Sequence, residues 1–216
     1  MEKKEEEAMT PKQIYNALLA EKVIKELKNR NIQGFYYETK EKAVEKVLEM
    51  IPKNSVISWG GSVTLTEIGL IDSLKNGEYD VLDARAGKDA VEMDKIAHQA
   101  FNADYYIMSA NAISASGELV NADGIGNRTA ALIYGPKNVI VIVGMNKVEQ
   151  NLDAAVLRVK TESAPLTVLV YNKSEIASFE ELLDKAQGAC SQLVITTMST
   201  FKDRIKVILI GESLGF

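Results

Sequence analysis

The amino-acid sequence predicts an α/β domain in which a mainly parallel sheet is flanked by helices. Segments with apolar residues at helical spacing alternate along the chain with short apolar runs that are typical of strands. The run VIVIV at 139–143 contains no polar residue, as expected for a strand buried on both faces of a parallel sheet. A hydrophobic content of 46% and a charged content of 25% are typical of globular proteins.

The first half of the chain supplies most of the predicted helices. A charge run at 1–9 is expected to be a flexible lead-in, and Thr10 and Pro11 then give an N-cap and a proline at the first helical position. The predicted helices that follow extend from 11 to about 30, over 39–51, from Ser62 or Thr64 to about 70, and over 90–101. The predicted strands are at 34–37, 56–59 and 79–82.

The second half supplies most of the predicted strands. Strands are expected at 103–108, 139–143, 167–170, 193–196 and 205–210, and helices at 148–160 and 179–186. The last two strands are close in sequence, which favours an antiparallel hairpin at the edge of the sheet. Neither a repeat nor a linker divides the chain, so a single domain is predicted at 10–216.

Composition and charge exclude several classes of function. The net charge of −5, from 25 basic and 30 acidic residues, gives no electrostatic basis for binding nucleic acid. Cys190 and His98 are the only residues of their types, which rules out a disulfide framework, a cysteine-built iron–sulfur or zinc site, and a multi-histidine metal site. The charged first residues do not resemble a signal peptide and no apolar run approaches the roughly 18 residues of a membrane span, so a cytoplasmic protein is expected.

The stretch at 111–128 is rich in small and polar residues and cannot fill a core. We interpret it as a loop whose backbone approaches a ligand closely. Its candidate catalysts are Glu118, as nucleophile or general base, and Asp123, as general base or as acceptor for a ribose hydroxyl. Arg128 offers a fork that matches a carboxylate or phosphate. The alternative is structural, with the asparagines forming turns and Asp123 pairing with Arg128.

A glycine loop, WGGSVT at 59–64, lies between a predicted strand and a predicted helix. Backbone N–H groups of Gly60 and Gly61, with the hydroxyls of Ser62 and Thr64, suit an anion at this position. The loop matches neither a Walker A motif nor Gly-x-Gly-x-x-Gly. A tight turn with a serine cap is the alternative.

Three further side chains are candidate ligand contacts. Lys147 follows the buried strand at 139–143, and loops at the carboxyl ends of parallel strands bind ligands in α/β proteins, so we expect Lys147 to contact an anion. Asn111 and Asn127 are expected to orient the ligand.

Several of these motifs resemble those of the LUD-domain family, the lactate-utilisation proteins of the LutC/YkgG type. The residues that carry the resemblance are Trp59-Gly60-Gly61-Ser62 with Thr64, Glu67 and Gly69; Ser109 to Ile113; Gly117 to Asn121 with Asp123-Gly124; Gly126-Asn127-Arg128; Tyr134 to Lys137; Val143-Gly144 with Asn146-Lys147; and Arg204 to Glu212. The resemblance extends from about residue 11 to residue 216. It implies the fold of the NagB/RpiA/CoA-transferase-like group, a Rossmann-like sheet, and a pocket in which the glycine loop meets the stretch at 111–128.

The resemblance also implies a function. We expect a protein that binds a small anionic metabolite or cofactor of unidentified kind and serves lactate or organic-acid utilisation as an accessory subunit. Family members often carry a cysteine cluster that this chain lacks, so iron–sulfur centres would lie on partner proteins. One alternative is a transferase, isomerase or hydrolase that uses Glu118. Another is a docking subunit for an iron–sulfur partner, without catalysis of its own. The chain is also a candidate for homo-oligomer formation.

Overall fold

The computed structural model describes residues 9–172 and 176–216. The predicted lead-in at 1–9 therefore lies outside the described residues except for Met9. The strands are β1 Gln33–Tyr37, β2 Val56–Trp59, β3 Asp80–Leu82, β4 Tyr105–Ser109, β5 Ala112–Ser114, β6 Leu119–Asp123, β7 Asn138–Gly144, β8 Val148–Glu149, β9 Gln192–Thr196 and β10 Ile205–Ile210.

Nine α-helices lie within the described ranges. They are α1 Pro11–Asn29, α2 Lys40–Met50, α3 Val63–Glu67, α4 Leu70–Lys75, α5 Ala90–Gln99, α6 Asn127–Tyr134, α7 Leu152–Arg158, α8 Ala164–Asn172 and α9 Phe179–Ala189, with a π-helical turn at Val159–Ser163 between α7 and α8. None of these helices is both long enough and apolar enough to cross a membrane.

Six strands form a parallel sheet in the order β1-β10-β7-β4-β2-β3. Its central strand β7 is buried on both faces, as the sequence predicts. Val139, Val141 and Val143 pack on the side of α1 and α6, whereas Ile140 and Ile142 pack on the side of α2, α3 and α4. The prediction of an α/β fold with a mainly parallel sheet and flanking helices is confirmed.

A second, four-stranded sheet has the order β8-β5-β6-β9. It corrects the interpretation of residues 111–128 as a loop, because β5 and β6 are a buried antiparallel pair within that stretch. Small side chains permit this burial. Ala112 and Ala122 pack closely against Ala155 and Val159.

The predicted hairpin of the last two strands is wrong. β9 is antiparallel, but its partner is β6 in the small sheet. β10 instead lies between β1 and β7 and is parallel to both. A pairing between strands far apart in sequence has therefore replaced the local one.

Three further predicted elements also differ. The expected strand at 167–170 lies within α8, whose Val168 packs against Leu182 and Ala186 of α9. The helix expected at 64–70 is broken at Gly69, which has a φ of 70° and begins α4. The helix expected at 148–160 begins only at Leu152, because β8 comes first and Asn151 caps α7.

Candidate functional site

A cavity of about 1470 Å³ lies at the carboxyl ends of β2, β4 and β7. The loop after β2, the end of β4 and the turn after β7 form its floor, and residues of α5, α8, α9 and the start of α6 form its walls. This is the position at which open α/β sheets bind ligands, since the loops after parallel strands converge there.

Eight of the ten residues predicted for the site line this one cavity. They are Gly61, Ser62, Thr64, Asn111, Asp123, Asn127, Arg128 and Lys147. Gly60 faces a smaller adjoining cleft that it shares with Gly61. Glu118 lines neither space. The glycine loop and the stretch at 111–128 thus meet, as the family resemblance implies, but one candidate catalyst lies elsewhere.

Lys147 lies in the floor of the cavity with only 2% of its surface exposed. Its Nζ donates to Thr64 Oγ1 at 2.8 Å and to Ser109 Oγ at 3.1 Å. Among the described residues, no carboxylate oxygen lies within 4.0 Å of this nitrogen. Lys147 is thus a buried amine whose hydrogen-bond partners are hydroxyls without charge.

The surroundings of Lys147 disfavour its protonated form. Burial, followed by repulsion from the guanidinium groups of Arg158 and Arg128, lowers the pKa of Lys147 to about 7. Attraction to Glu67 and Glu162 opposes this shift only in part. The amine therefore titrates near neutral pH, where an exposed lysine is fully charged.

A short segment at 214–216 covers the Lys147 amine. Gly215 donates its backbone N–H to Glu67 Oε2 at 2.6 Å, and Leu214 accepts from Thr64 Oγ1 at 3.3 Å. A β-carbon on Gly215 would lie 2.5 Å from Thr64 Oγ1 and 3.4 Å from Lys147 Nζ. Only a glycine lets the backbone approach this closely, and its φ of 52° also favours glycine.

Arg128 is 8% exposed, and the protein itself occupies all five of its N–H groups. The acceptors are Asp123 Oδ1, Asn121 Oδ1, Asn111 Oδ1 and the backbone carbonyls of Ser109 and Ala122. Arg128 thus joins β4 to β6 at the cavity wall. The positive charge of Arg128 would attract an anionic ligand. The ligand would, however, have to displace one of the protein acceptors to receive a hydrogen bond from Arg128.

The side chains beside Arg128 are also hydrogen-bonded within the protein. Asp123 accepts a second hydrogen bond from the backbone of Thr129 at 2.7 Å and so fixes the first turn of α6. Asn111 donates to Ser163 Oγ at 2.6 Å. Asn127 is the exception, because it is exposed at the first position of α6 and can turn towards a ligand.

The glycine loop forms the opposite side of the floor. Ser62 caps α3 by accepting from the backbone of Leu65, as the structural alternative predicts. Gly61 faces Arg85, whose Nη2 would lie 2.6 Å from a β-carbon at that position. Arg85 also donates to the hydroxyl of Tyr171 at 2.7 Å.

Three of the polar residues around the cavity were not predicted as site residues. Ser109 carries part of the family resemblance and could have been found, because it directly follows the strand predicted at 103–108. Arg85 and Tyr171 carry no such signal, and Tyr171 directly follows a segment predicted as a strand.

Glu118 lies in the turn between β5 and β6, where Arg30, the C-cap of α1, and the hydroxyl of Ser114 both donate to its carboxylate. Burial alone would raise the pKa of Glu118. The hydrogen bonds from Ser114, its own backbone and Ser116, together with the charge of Arg30, hold that pKa below its ordinary value. The carboxylate is thus paired within the protein and turned away from the cavity.

No metal site emerges from the described residues, in which no group of three or more His, Cys, Asp or Glu side chains is placed to hold an ion. The same part of the chain places His98 at the cavity wall, exposed and beside Asp94.

Two of the solved structures that are similar to this chain illustrate the likeness. A DUF162 family protein from Deinococcus radiodurans superposes with a TM-score of 0.51 at 13% identity, over 90% of this chain and 98% of that one. Ribose 5-phosphate isomerase A from Neisseria gonorrhoeae gives a TM-score of 0.42 at 15% identity, over 82% of this chain and 93% of that one. The first likeness shows a shared fold and no more.

Comparison of sequences identifies the family. No curated protein matches the chain. The sequence model of the LUD domain matches residues 20–210, which include every element from β1 to β10 and every predicted site residue. The chain therefore belongs to the LUD-domain family, which is associated with lactate utilisation.

Proposed function

We propose that this LUD-domain protein binds a small anionic metabolite or cofactor in the cavity at the carboxyl ends of β2, β4 and β7. The binding would serve the use of lactate or a related organic acid, with the protein as an accessory subunit. The observation that carries the proposal is Lys147, a buried amine at the cavity floor with no carboxylate partner among the described residues.

The energetics of Lys147 favour an anion as the missing partner. Burying an unpaired ammonium is costly, and the lowered pKa of Lys147 expresses that cost. An anion beside Nζ would stabilise the protonated form and raise this pKa. Binding above pH 7 should therefore take up a proton, because a neutral amine becomes charged in the complex.

Other groups at the cavity have secondary roles in this proposal. The backbone N–H of Gly61 and the hydroxyl of Ser62 would donate hydrogen bonds to the anion, and Asn127 would orient the rest of the ligand. The sequence predicts the N–H of Gly60 and the hydroxyl of Thr64 as donors too, but the protein already uses them, because they donate to the carbonyls of Ile107 and Leu214. Arg128 would contribute its charge while it holds Asp123 and Asn111 in place.

The test is a binding screen followed by calorimetry. Thermal shifts would be measured with lactate, pyruvate, phosphosugars, CoA esters, nucleotides and folates. A ligand at about 100 times its dissociation constant adds roughly 2.7 kcal/mol of stability, which corresponds to roughly 5–10 °C for a domain of this size. Each hit would be titrated at about pH 8 in two buffers with different ionisation enthalpies, since proton uptake makes the heat depend on the buffer.

Two lysine-to-methionine variants distinguish a specific role of Lys147 from a general loss of positive charge. Lys147→Met keeps the length of the side chain without its nitrogen and should abolish both the binding and the buffer dependence. Lys137→Met removes a lysine that is exposed before β7 and should change neither. Binding that survives in Lys147→Met would refute the proposal. If no compound in the panel raises the melting temperature, the alternative of a docking subunit for an iron–sulfur partner is favoured.

A further inference from the structure

Two arginines near Lys147 are each paired with a carboxylate, whereas Glu67, which also lies near Lys147, accepts from the backbone N–H of Gly215. Arg158 Nη2 lies 2.9 Å from Glu162 and its Nε 3.7 Å from Glu149, while Arg128 is paired with Asp123 at 2.9 Å. The charge of each arginine disfavours a third cation at Lys147. The Lys147 amine thus lies where its protonated form is disfavoured, at the floor of a cavity large enough for a ligand.

A purely structural role explains this arrangement poorly. A methionine or leucine would fill the same space without the cost of burying a nitrogen. A lysine that only attracts anions would be better placed with its charge intact. A buried amine beside other cations is instead the arrangement that makes lysine a nucleophile, since its lone pair is free at neutral pH.

We infer that the ligand carries a carbonyl group and that Lys147 Nζ attacks it to form a Schiff base, with short-chain 2-oxo acids as the ligand class. The inference rests on the anion binding proposed above and specifies its chemistry. The carboxylate of a 2-oxo acid is bonded directly to the reacting carbon. This carboxylate therefore places a negative charge next to the iminium nitrogen. Without it, the nearby arginines would destabilise the iminium cation.

The step balances without an external oxidant or reductant. The Nζ lone pair forms a C–N bond to the carbonyl carbon, and the π electrons of the C=O bond move to oxygen. A proton passes from nitrogen to that oxygen, for which the hydroxyls of Ser109 and Thr64 lie within hydrogen-bond distance of Nζ. A proton from solvent then adds to the hydroxyl group of the carbinolamine. Water leaves with the C–O electron pair while the nitrogen lone pair forms the C=N bond, which gives the iminium cation.

The environment also makes the reaction selective. With its pKa near 7, about half of the Lys147 amines are neutral at neutral pH. For an exposed lysine the neutral fraction is smaller by a factor of roughly 1,000. Among the lysines of the chain, Lys147 should therefore react first.

The experiment is trapping by reduction. The full chain would be incubated near pH 7.5 with pyruvate or glyoxylate and sodium cyanoborohydride, then analysed by intact mass and peptide mapping. The expected product is a single adduct on the peptide that contains Lys147, heavier by the mass of the 2-oxo acid less one oxygen atom. Lactate has a hydroxyl in place of the keto group and should give no adduct. Propanal, which lacks the carboxylate, should react at least about tenfold less than pyruvate.

Three variants control the trapping experiment. Lys147→Arg keeps a cation without a nucleophilic amine and should lose the adduct, whereas Lys137→Met should retain it. Ser109→Ala keeps the amine, and it should slow adduct formation by removing one proton relay. This variant also serves if substitutions at Lys147 prevent folding, which circular dichroism would reveal.

The outcomes separate this inference from the proposed function. If pyruvate binds in a manner that depends on Lys147 but leaves no reduced adduct, the Schiff base is refuted and anion binding stands. Equal reaction with propanal and pyruvate would refute the 2-oxo acid class. If no anion binds at all, the proposed function fails first.

Discussion

The lowered pKa of Lys147 affects the stability of the folded protein as well as the reactivity of the amine. An unfolded chain keeps this amine protonated up to its ordinary pKa of 10.5, whereas the folded protein releases the proton at about 7. Between these two values the unfolded state binds more protons, so the free energy of unfolding rises as pH rises. Below about pH 7 both states are protonated, and the folded state bears the full cost of the buried charge.

Lys147→Met should abolish this pH dependence. Between about pH 7 and 9, the free energy of unfolding of the wild-type protein should rise relative to the variant by roughly 1.4 kcal/mol per pH unit. Urea denaturation of both proteins across this range measures the difference. Parallel pH profiles would show that Lys147 titrates at an ordinary pKa in the folded protein.

At Arg128 the expected effect is a loss of stability. Arg128→Ala removes five hydrogen bonds and leaves Asp123 buried without its cation, so we expect a loss of about 3–5 kcal/mol in the free energy of unfolding. The double variant with Asp123→Ala should recover part of this loss, because no unpaired charge is left behind. Arg85→Ala, at an exposed arginine, should stay within about 0.5 kcal/mol of wild type. A small effect of Arg128→Ala would mean that Arg128 is free to bind a ligand, as the sequence first predicts.

Among the structural elements, the turn between β5 and β6 is held to α1 by Arg30. This guanidinium donates to Glu118 and to the backbone carbonyls of Ser116 and Thr197, so it connects the end of α1 with the β5–β6 turn and with the end of β9. The side chains of Arg30 and Glu118 are 21% and 13% exposed. Such a partly buried, charge-assisted contact stabilises far more than a surface ion pair does.

Glu118→Gln should destabilise the protein by about 1.5–3 kcal/mol near pH 7 and leave ligand affinity unchanged. Because the pKa of Glu118 is lowered in the folded state, its contribution is present above the ordinary carboxyl range and is lost as pH falls through the folded value. The difference between wild type and variant should therefore shrink in acid. Denaturation at pH 7 and at about pH 3 measures it, with Glu78→Gln in an exposed ion pair as control. Loss of ligand binding in Glu118→Gln would instead restore Glu118 to the site.

The elements that sequence predicts well are those whose burial is decided locally. β7 is apolar on both faces, and Thr10, Thr39 and Ser178 cap helices near their predicted starts. The failures have a common physical cause. α8 has the β-branched composition of a strand but is held as a helix by packing on α9, and β9 pairs with a strand about 70 residues away.

At the scale of the whole molecule, the site lies where the two sheets meet. The chain passes from the parallel sheet into the small sheet after β4 and again after β7, and the residues at those two points include Ser109, Asn111 and Lys147. Sequence can predict that polar residues follow strands, and hence eight of the cavity-lining residues. It cannot predict that Lys147 lacks a carboxylate partner, since this depends on how Arg128 and Arg158 pair across elements.

The walls of the cavity differ in how firmly they are held, and this difference predicts how the molecule responds to a ligand. α5 has no buried residue, and α8 and α9 pack through a small cluster formed by Ala164, Val168, Leu182 and Ala186. α2, in contrast, buries Ala43 and Val47 in the main core and touches no part of the cavity. Elements with few apolar contacts open most readily, so a ligand that bridges them gives the largest gain in protection.

Hydrogen exchange with and without a bound anion measures this response. Amide exchange in α5, α8 and α9 should slow by at least about tenfold when the cavity is filled, a change of roughly 1.4 kcal/mol in the opening free energy. Exchange in α2 should be unchanged, and Lys147→Met should show no protection at the same ligand concentration. Protection confined to α1 or α2 would place the ligand outside this cavity, because neither helix contributes to its walls.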